Sequence, residues 1–315
     1  MPDATIVHPF TIEIGRLSLT GFGLAVLLAF AISQIIAQRE LARRGHDPTP
    51  IPDLILAAVL GTLIGGKLYY TLFITHDVRD LISRAGFVFW GGFMGSVAAC
   101  YITIKLKKLN FIRISDVAGI CIAAGYSIGR TGCWAVGDDY GRPWSGPLAV
   151  AFPEGAPPST VHNMQALFGI QPPPGTPADA LLGVYPTQLF ETVLGFVMFL
   201  ILWRYRDHKH AEGWLFGLYL VLAGIERFLI EFLRAKDDRF FGPLTAAQAI
   251  GLALAALGVI WMQMRKDVGP GKPGIYARAR PRHKPPEEPK QLRTLKRPKA
   301  STNAEYADAS AAETR

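Results

Sequence analysis

Residues Leu17–Ala37 read LSLTGFGLAVLLAFAISQIIA, a run with no charged side chain. The hydrocarbon slab of a bilayer is about 30 Å thick and takes about 20 largely apolar residues wound as a helix. The stretch therefore predicts a membrane-spanning helix. Asp3 and Glu13 precede it with only Arg16 basic, and it runs into Gln38-Arg39-Glu40 with no small-residue cleavage pattern. A removed signal peptide is not the expectation.

Six further stretches read the same way: Ile51–Phe73, Gly86–Ile104, Ser115–Val136, Leu182–Trp203, Gly213–Leu233 and Thr245–Met264. Half of the 315 residues are apolar and 18% are charged, which sets the chain apart from an ordinary soluble domain. The expected fold class is all-α, a polytopic membrane protein of about seven transmembrane helices. Basic residues follow alternate spans: Arg39, Arg43 and Arg44, then Lys105, Lys107, Lys108 and Arg113, then Arg204, Arg206 and Lys209. By the positive-inside rule the amino terminus lies outside and the carboxyl terminus is cytoplasmic. Arg234, Lys236 and Arg239, partly offset by Asp237 and Asp238, run against this pattern in the last outer loop.

Residues 1–265 are expected to form the membrane domain. Residues 266–315 form a basic, Pro-rich tail with no sustained apolar period, expected to be disordered and to lie against anionic membrane lipid. Nucleic acid is not an expected partner. An outer loop near 137–180 carries Pro153, Pro157-Pro158 and Pro172-Pro173-Pro174, which exclude one continuous helix. A loop of that length is expected to contact substrate. Cys100, Cys121 and Cys133 are odd in number and scattered, which argues against a disulfide framework or a zinc site. No internal repeat suggests an inverted-repeat transporter.

Glycines at four-residue spacing, Gly61/Gly65, Gly91/Gly95 and Gly125/Gly129 with Gly132 beyond, suit close helix packing. The ionisable residues inside spans ask for more. A charge at the bilayer centre costs about 2.5–3.5 kcal/mol on insertion scales, so it turns inward to a cavity or a partner. Arg130 lies between Gly129 and Gly132; Arg227, Glu231 and Arg234 share one helix face at i, i+4 and i+7, whereas Glu226 points elsewhere. Two readings stand: Arg227 and Glu231 form a structural ion pair, or Arg130 and Arg227 converge on an anionic group such as a phosphate. Asp138 and Asp139 follow the fourth span as a solvated turn or a functional pair. Gln188 and Glu191, three apart, can share a face at the start of the fifth.

These residues carry a resemblance. Gly129-Arg130-Thr131-Gly132-Cys133 through Gly137-Asp138-Asp139-Tyr140-Gly141-Arg142 is similar to a signature of the prolipoprotein diacylglyceryl transferases, bacterial inner-membrane enzymes: glycine-arginine-x-glycine-asparagine, asparagine-glycine-glutamate, then glycine-arginine. Gly65-Gly66-Lys67-Leu68-Tyr69, Trp90-Gly91-Gly92, Tyr185 to Glu191, Glu226 to Arg234 and Gln248 resemble further family segments in the same order, over roughly residues 15–265. The departures are Trp90 for a histidine, Cys133 and Val136 for two asparagines, Asp138 for the glutamate, Lys67 for an arginine, and Phe22 and Ala223 for tyrosines.

The resemblance implies transfer of a diacylglyceryl group from phosphatidylglycerol to the lipobox cysteine of a prolipoprotein signal peptide, with loss of glycerol phosphate and no cofactor or metal. Arg130, Arg227 and Asp138 are the implied catalytic residues; Arg130, Arg227, Gly129, Gly132, Gln188 and Glu231 are the implied lipid-binding set. The alternative is a divergent, non-catalytic lipid-binding paralogue, or a transferase with another lipid or acceptor.

Overall fold

Thr20 decides where the first helix begins. Its side chain accepts a hydrogen bond from Gly23 N at 3.1 Å, so the helix starts at Gly21, four residues after the apolar run opens. The computed structural model describes residues 4–15, 17–81, 88–171, 175–235, 239–241 and 244–267. In chain order its helices are α1 (Gly21–Arg43), α2 (Ile51–Tyr70), α3 (Phe89–Leu106), α4 (Phe111–Val136), α5 (Val161–Phe168), α6 (Thr187–Tyr205), α7 (Trp214–Ile230) and α8 (Ala246–Met264). Short strands lie between them: β1 (Thr5–Ile6), β2 (Thr11–Ile14), β3 (Leu17–Thr20), β4 (Val150–Ala151), β5 (Arg239–Phe241) and β6 (Leu244–Thr245).

All seven expected spans fall on helices, and the chain is an all-α polytopic membrane protein. Six of the helices are long and apolar enough to cross a membrane. The exception, α7, has 17 residues. Its chain leaves α-helical geometry at Glu231 through tighter turns, Phe232 N to Leu229 O and Leu233 N to Ile230 O, so that the Leu233 carbonyl can accept from Arg142 N at 2.8 Å.

Two expected boundaries need correction. Leu17–Thr20 is the strand β3, paired antiparallel with β2, and not the first turn of a helix. The stretch expected to open the fifth span at Leu182 is extended, because Val184 exchanges two backbone hydrogen bonds with Val150 and Pro186 precedes the helix. The long loop contains α5, which sits between the proline clusters and is capped by Thr160. The third span was expected from Gly86, which lies outside the described residues, as does the tail from 268.

Helix α4 is the axis of the bundle and packs against α1, α6 and α7. Helices α2 and α3 meet through the expected glycines: a Cβ on Gly61 would stand 2.5 Å from Gly95 O, and one on Gly65 would stand 2.8 Å from Gly95 Cα. Backbones that approach this closely gain dispersion and leave no room for a side chain. Helices α7 and α8 use the same device at Gly217 and Gly258.

At the end of the bundle where α1 finishes and α4 begins, buried Glu40 pairs with Arg43 and Arg44, and buried Asp116 accepts from Gly213 N and Phe216 N at the start of α7. The opposite end is capped by the loop after α4. Tyr140, Val150, Phe152, Val161, Met164, Leu182 and Val184 form a hydrophobic core of its own there, and β1 joins it alongside β4.

Candidate functional site

The site forms where α4 ends, α6 begins and α7 unwinds. Gly137 closes α4 in the left-handed region at φ 69°, and Asp139 repeats that conformation at φ 54° two residues later. Aspartate tolerates it better than most residues. The turn is tied to α6: Gln188 Nε2 donates to Asp138 O at 2.6 Å, and Thr187 Oγ1 donates to Asp139 O at 2.7 Å. Gly141 then passes between two segments, where a Cβ would run into Leu233 O on one side and stand 2.7 Å from Tyr185 Cβ on the other. With the backbone held this way, the Asp139 carboxylate faces the arginines.

Arg130, on the last turns of α4, donates Nη1 to Asp139 Oδ2 at 2.9 Å and Nη2 to Glu191 Oε2. Arg234 reaches the same two acids from beyond α7, with Nη2 2.6 Å from Asp139 Oδ1 and Nη1 3.7 Å from Glu191 Oε1. Arg142 Nε, 3.0 Å from Arg234 O, fixes the backbone that presents it. Glu231 continues the chain of charges, pairing with Arg227 Nη2 at 2.6 Å, standing 4.0 Å from Arg234 Nε and accepting from Thr245 Oγ1 at 3.3 Å. Behind Glu191, the Tyr126 hydroxyl lies 3.2 Å from Glu191 Oε1 and 2.9 Å from Glu226 Oε1.

The sequence-derived residues separate on this geometry. Arg130 is at the centre. Arg227 pairs with Glu231, as the structural reading of its face has it, and Glu231 in turn stands beside Arg234, which shares its acids with Arg130. Glu231 is buried under two arginines and serves as their counter-ion. Gln188, fully buried, donates to the Asp138 carbonyl and so holds the turn after α4. Gly132 is a packing glycine against α1, since a Cβ there would stand 2.8 Å from Ala25 Cβ. Gly129 faces open space, with nothing within 4 Å of a built Cβ.

Asp138 turns toward Cys133, whose thiol hydrogen-bonds it, and its Oδ1 is buried without a hydrogen-bond partner among the described residues. Trp90 lies at the start of α3, half exposed and edge-on to Phe89 and Phe93.

Arg234, Asp139, Glu191, Tyr126 and Glu226 were missing from the expected site. Arg234 was visible as the i+7 partner of Arg227, and Glu191 as the i+3 partner of Gln188. Asp139 was one of two adjacent acids, and only its left-handed backbone separates it from Asp138. Tyr126 lies one turn before Arg130 on α4, the one local signal for it; Glu226 was visible as a charge inside the sixth span, but off the face of Arg227 and Glu231.

Burial alone would raise the Asp139 carboxyl, but the Arg234 and Arg130 guanidiniums override it and hold it at about 2. It is therefore ionised throughout the ordinary pH range. Asp138 moves the other way: burial, helped by the charge of Asp139, outweighs the Cys133 hydrogen bond and the two arginines and raises its carboxyl. Donor atoms of Cys133, Asp138 and Asp139 lie within 4.8 Å of one another. Two guanidiniums already occupy the Asp139 oxygens and repel a cation, so this trio does not suit a metal.

Comparison with known proteins agrees with the geometry. A family model described as prolipoprotein diacylglyceryl transferase matches residues 9–264. The phosphatidylglycerol–prolipoprotein diacylglyceryl transferase of Stenotrophomonas maltophilia is 28% identical over 283 residues, covering 82% of this chain and 92% of its own. That of Bordetella bronchiseptica is 30% identical over 257 residues, covering 78% and 88%. That of Clostridium tetani is 25% identical over 263 residues, covering 80% and 96%. With its helices, its arginine cluster and this match across most of its length, the chain belongs to the prolipoprotein diacylglyceryl transferase family.

Proposed function

We propose that this protein transfers the diacylglyceryl group of phosphatidylglycerol to the lipobox cysteine thiol of prolipoproteins, in the bacterial inner membrane, with its amino terminus outside and its carboxyl terminus cytoplasmic. The observation that carries the reading is the pair Arg130 and Arg234, one guanidinium from the end of α4 and one from the turn after α7, turned onto the same acids.

In the reaction the thiol sulfur attacks the glycerol carbon that bears the phosphate. A C–S bond forms, the C–O bond breaks, and the electron pair leaves on the phosphate oxygen of glycerol phosphate. Negative charge therefore grows on a phosphate, and guanidinium forks preset in a site away from bulk water stabilise such charge strongly. Arg130 and Arg234 hold that phosphate. Arg130 also keeps a buried Nε donor without a hydrogen-bond partner among the described residues. Arg227, one-third exposed, extends the positive face. The departing thiol proton needs a base, and Asp138 offers a carboxylate oxygen committed to no other described group. A free thiol has a pKa of about 8.5, so a nearby guanidinium and a carboxylate acceptor suffice to activate it. The basic tail rests on anionic lipid.

Complementation tests the reading. Expression in a bacterium depleted of its own diacylglyceryl transferase restores growth if the proposal holds. Failure to restore growth with the protein present in the membrane contradicts it.

A further inference from the structure

The Asp139 carboxylate spans the two arginines as a phosphate would, one oxygen to each: Oδ2 to Arg130 Nη1 at 2.9 Å and Oδ1 to Arg234 Nη2 at 2.6 Å. An incoming anion that uses those same nitrogens has to replace an acid already there. Asp139 holds those two nitrogens and Glu191 holds the other Nη of each fork, and burial decides which acid gives way. Glu191 is 1% exposed, on the inner face of α6, and also accepts from Tyr126. Pulling it away would strand a carboxylate and a phenol in the bundle, at the cost of unpaired buried groups. Asp139 is 41% exposed and sits on a loop. Its carbonyl is fixed by Thr187, so the side chain can rotate to water while the turn stays in place.

We propose that Asp139 is a built-in substitute for the lipid phosphate, which it precedes between Arg130 and Arg234 and which displaces it on binding. The residue sets the affinity of the site for anionic headgroups by competing for it. It keeps the two guanidiniums aligned and neutralised when no lipid is bound. Identifying the displacing anion as phosphatidylglycerol rests on the proposed function; the competition itself rests on the ion-pair geometry.

The test uses the full chain in detergent micelles, as wild type and as Asp139→Asn and Asp139→Ser. Two quantities are measured: KM and kcat for phosphatidylglycerol with saturating lipobox peptide, and the dissociation constant of glycerol 1-phosphate by calorimetry. The expected result is a KM lowered about tenfold, glycerol 1-phosphate bound tighter by a similar factor, and kcat changed less than about threefold. A bridge needed only for structure gives the reverse, a raised KM and weaker glycerol 1-phosphate binding, and overturns the proposal. Unchanged binding, or failure of both variants to fold, overturns it too. If the wild type transfers no lipid, the proposed function fails by itself. The glycerol 1-phosphate comparison then still decides the role of Asp139.

Discussion

Arg234 Nη2 lies 2.6 Å from Asp139 Oδ1, joining residues 95 positions apart and closing the site between the end of α4 and the turn after α7. The bond depends on a planar fork, because the same guanidinium also faces Glu191 and Glu231. Lysine carries the charge without the fork. Arg234→Lys is expected to fold and to lose about a hundredfold in transfer rate. A rate within threefold of wild type would show that Arg234 acts only through its charge.

Tyr126 supplies one hydroxyl hydrogen to two buried carboxylates, Glu191 and Glu226. Tyr126→Phe removes it and leaves both less satisfied, a cost of about 1–3 kcal/mol. The melting temperature in detergent is expected to fall. The double variant Tyr126→Phe with Glu226→Leu is expected to recover part of the loss, since the second acid is then gone. No recovery would mean that the Glu226 contact contributes nothing.

Two glycines separate packing from open space. Gly61→Leu places atoms into the Gly95 backbone and is expected to yield little folded protein. Gly129→Ala meets nothing within 4 Å and is expected to keep the wild-type melting temperature. Size-exclusion profiles of the two variants check this pair.

His208, in the loop between α6 and α7, is pushed down to about 4 by burial, with help from the Arg44 guanidinium and His210. In the unfolded chain it titrates near 6.5. The folded state holds it neutral, so its penalty is absent above about pH 6.5 and grows as pH falls toward about 4, reaching roughly 3 kcal/mol. The melting temperature should drop over that interval, and His208→Phe should flatten the drop. An unchanged slope in the variant would assign the pH sensitivity to another group.

The membrane architecture was legible because spans are written as uninterrupted apolar length, and length needs no tertiary information. The boundaries that failed did so for local reasons: Leu17–Thr20 is apolar but pairs with β2, and Val184 is apolar but pairs with Val150. Half of the site was legible. Arg130 stood out as a charge among glycines. Its partners come from α6 and the end of α7, and pairing across helices leaves no periodic trace. Arg227 looked equal to Arg234 on the helix face; only the unwinding after Ile230 turns Arg234 toward Arg130's acids and leaves Arg227 with Glu231.

The most direct measurement is the mass of a lipobox peptide incubated with purified protein and phosphatidylglycerol. With wild type the peptide should gain one diacylglyceryl group as a thioether on its cysteine; with Arg130→Ala, shown to be folded by its size-exclusion profile, it should gain nothing. Equal modification by the two proteins would contradict a phosphate held by Arg130, and with it the catalytic account.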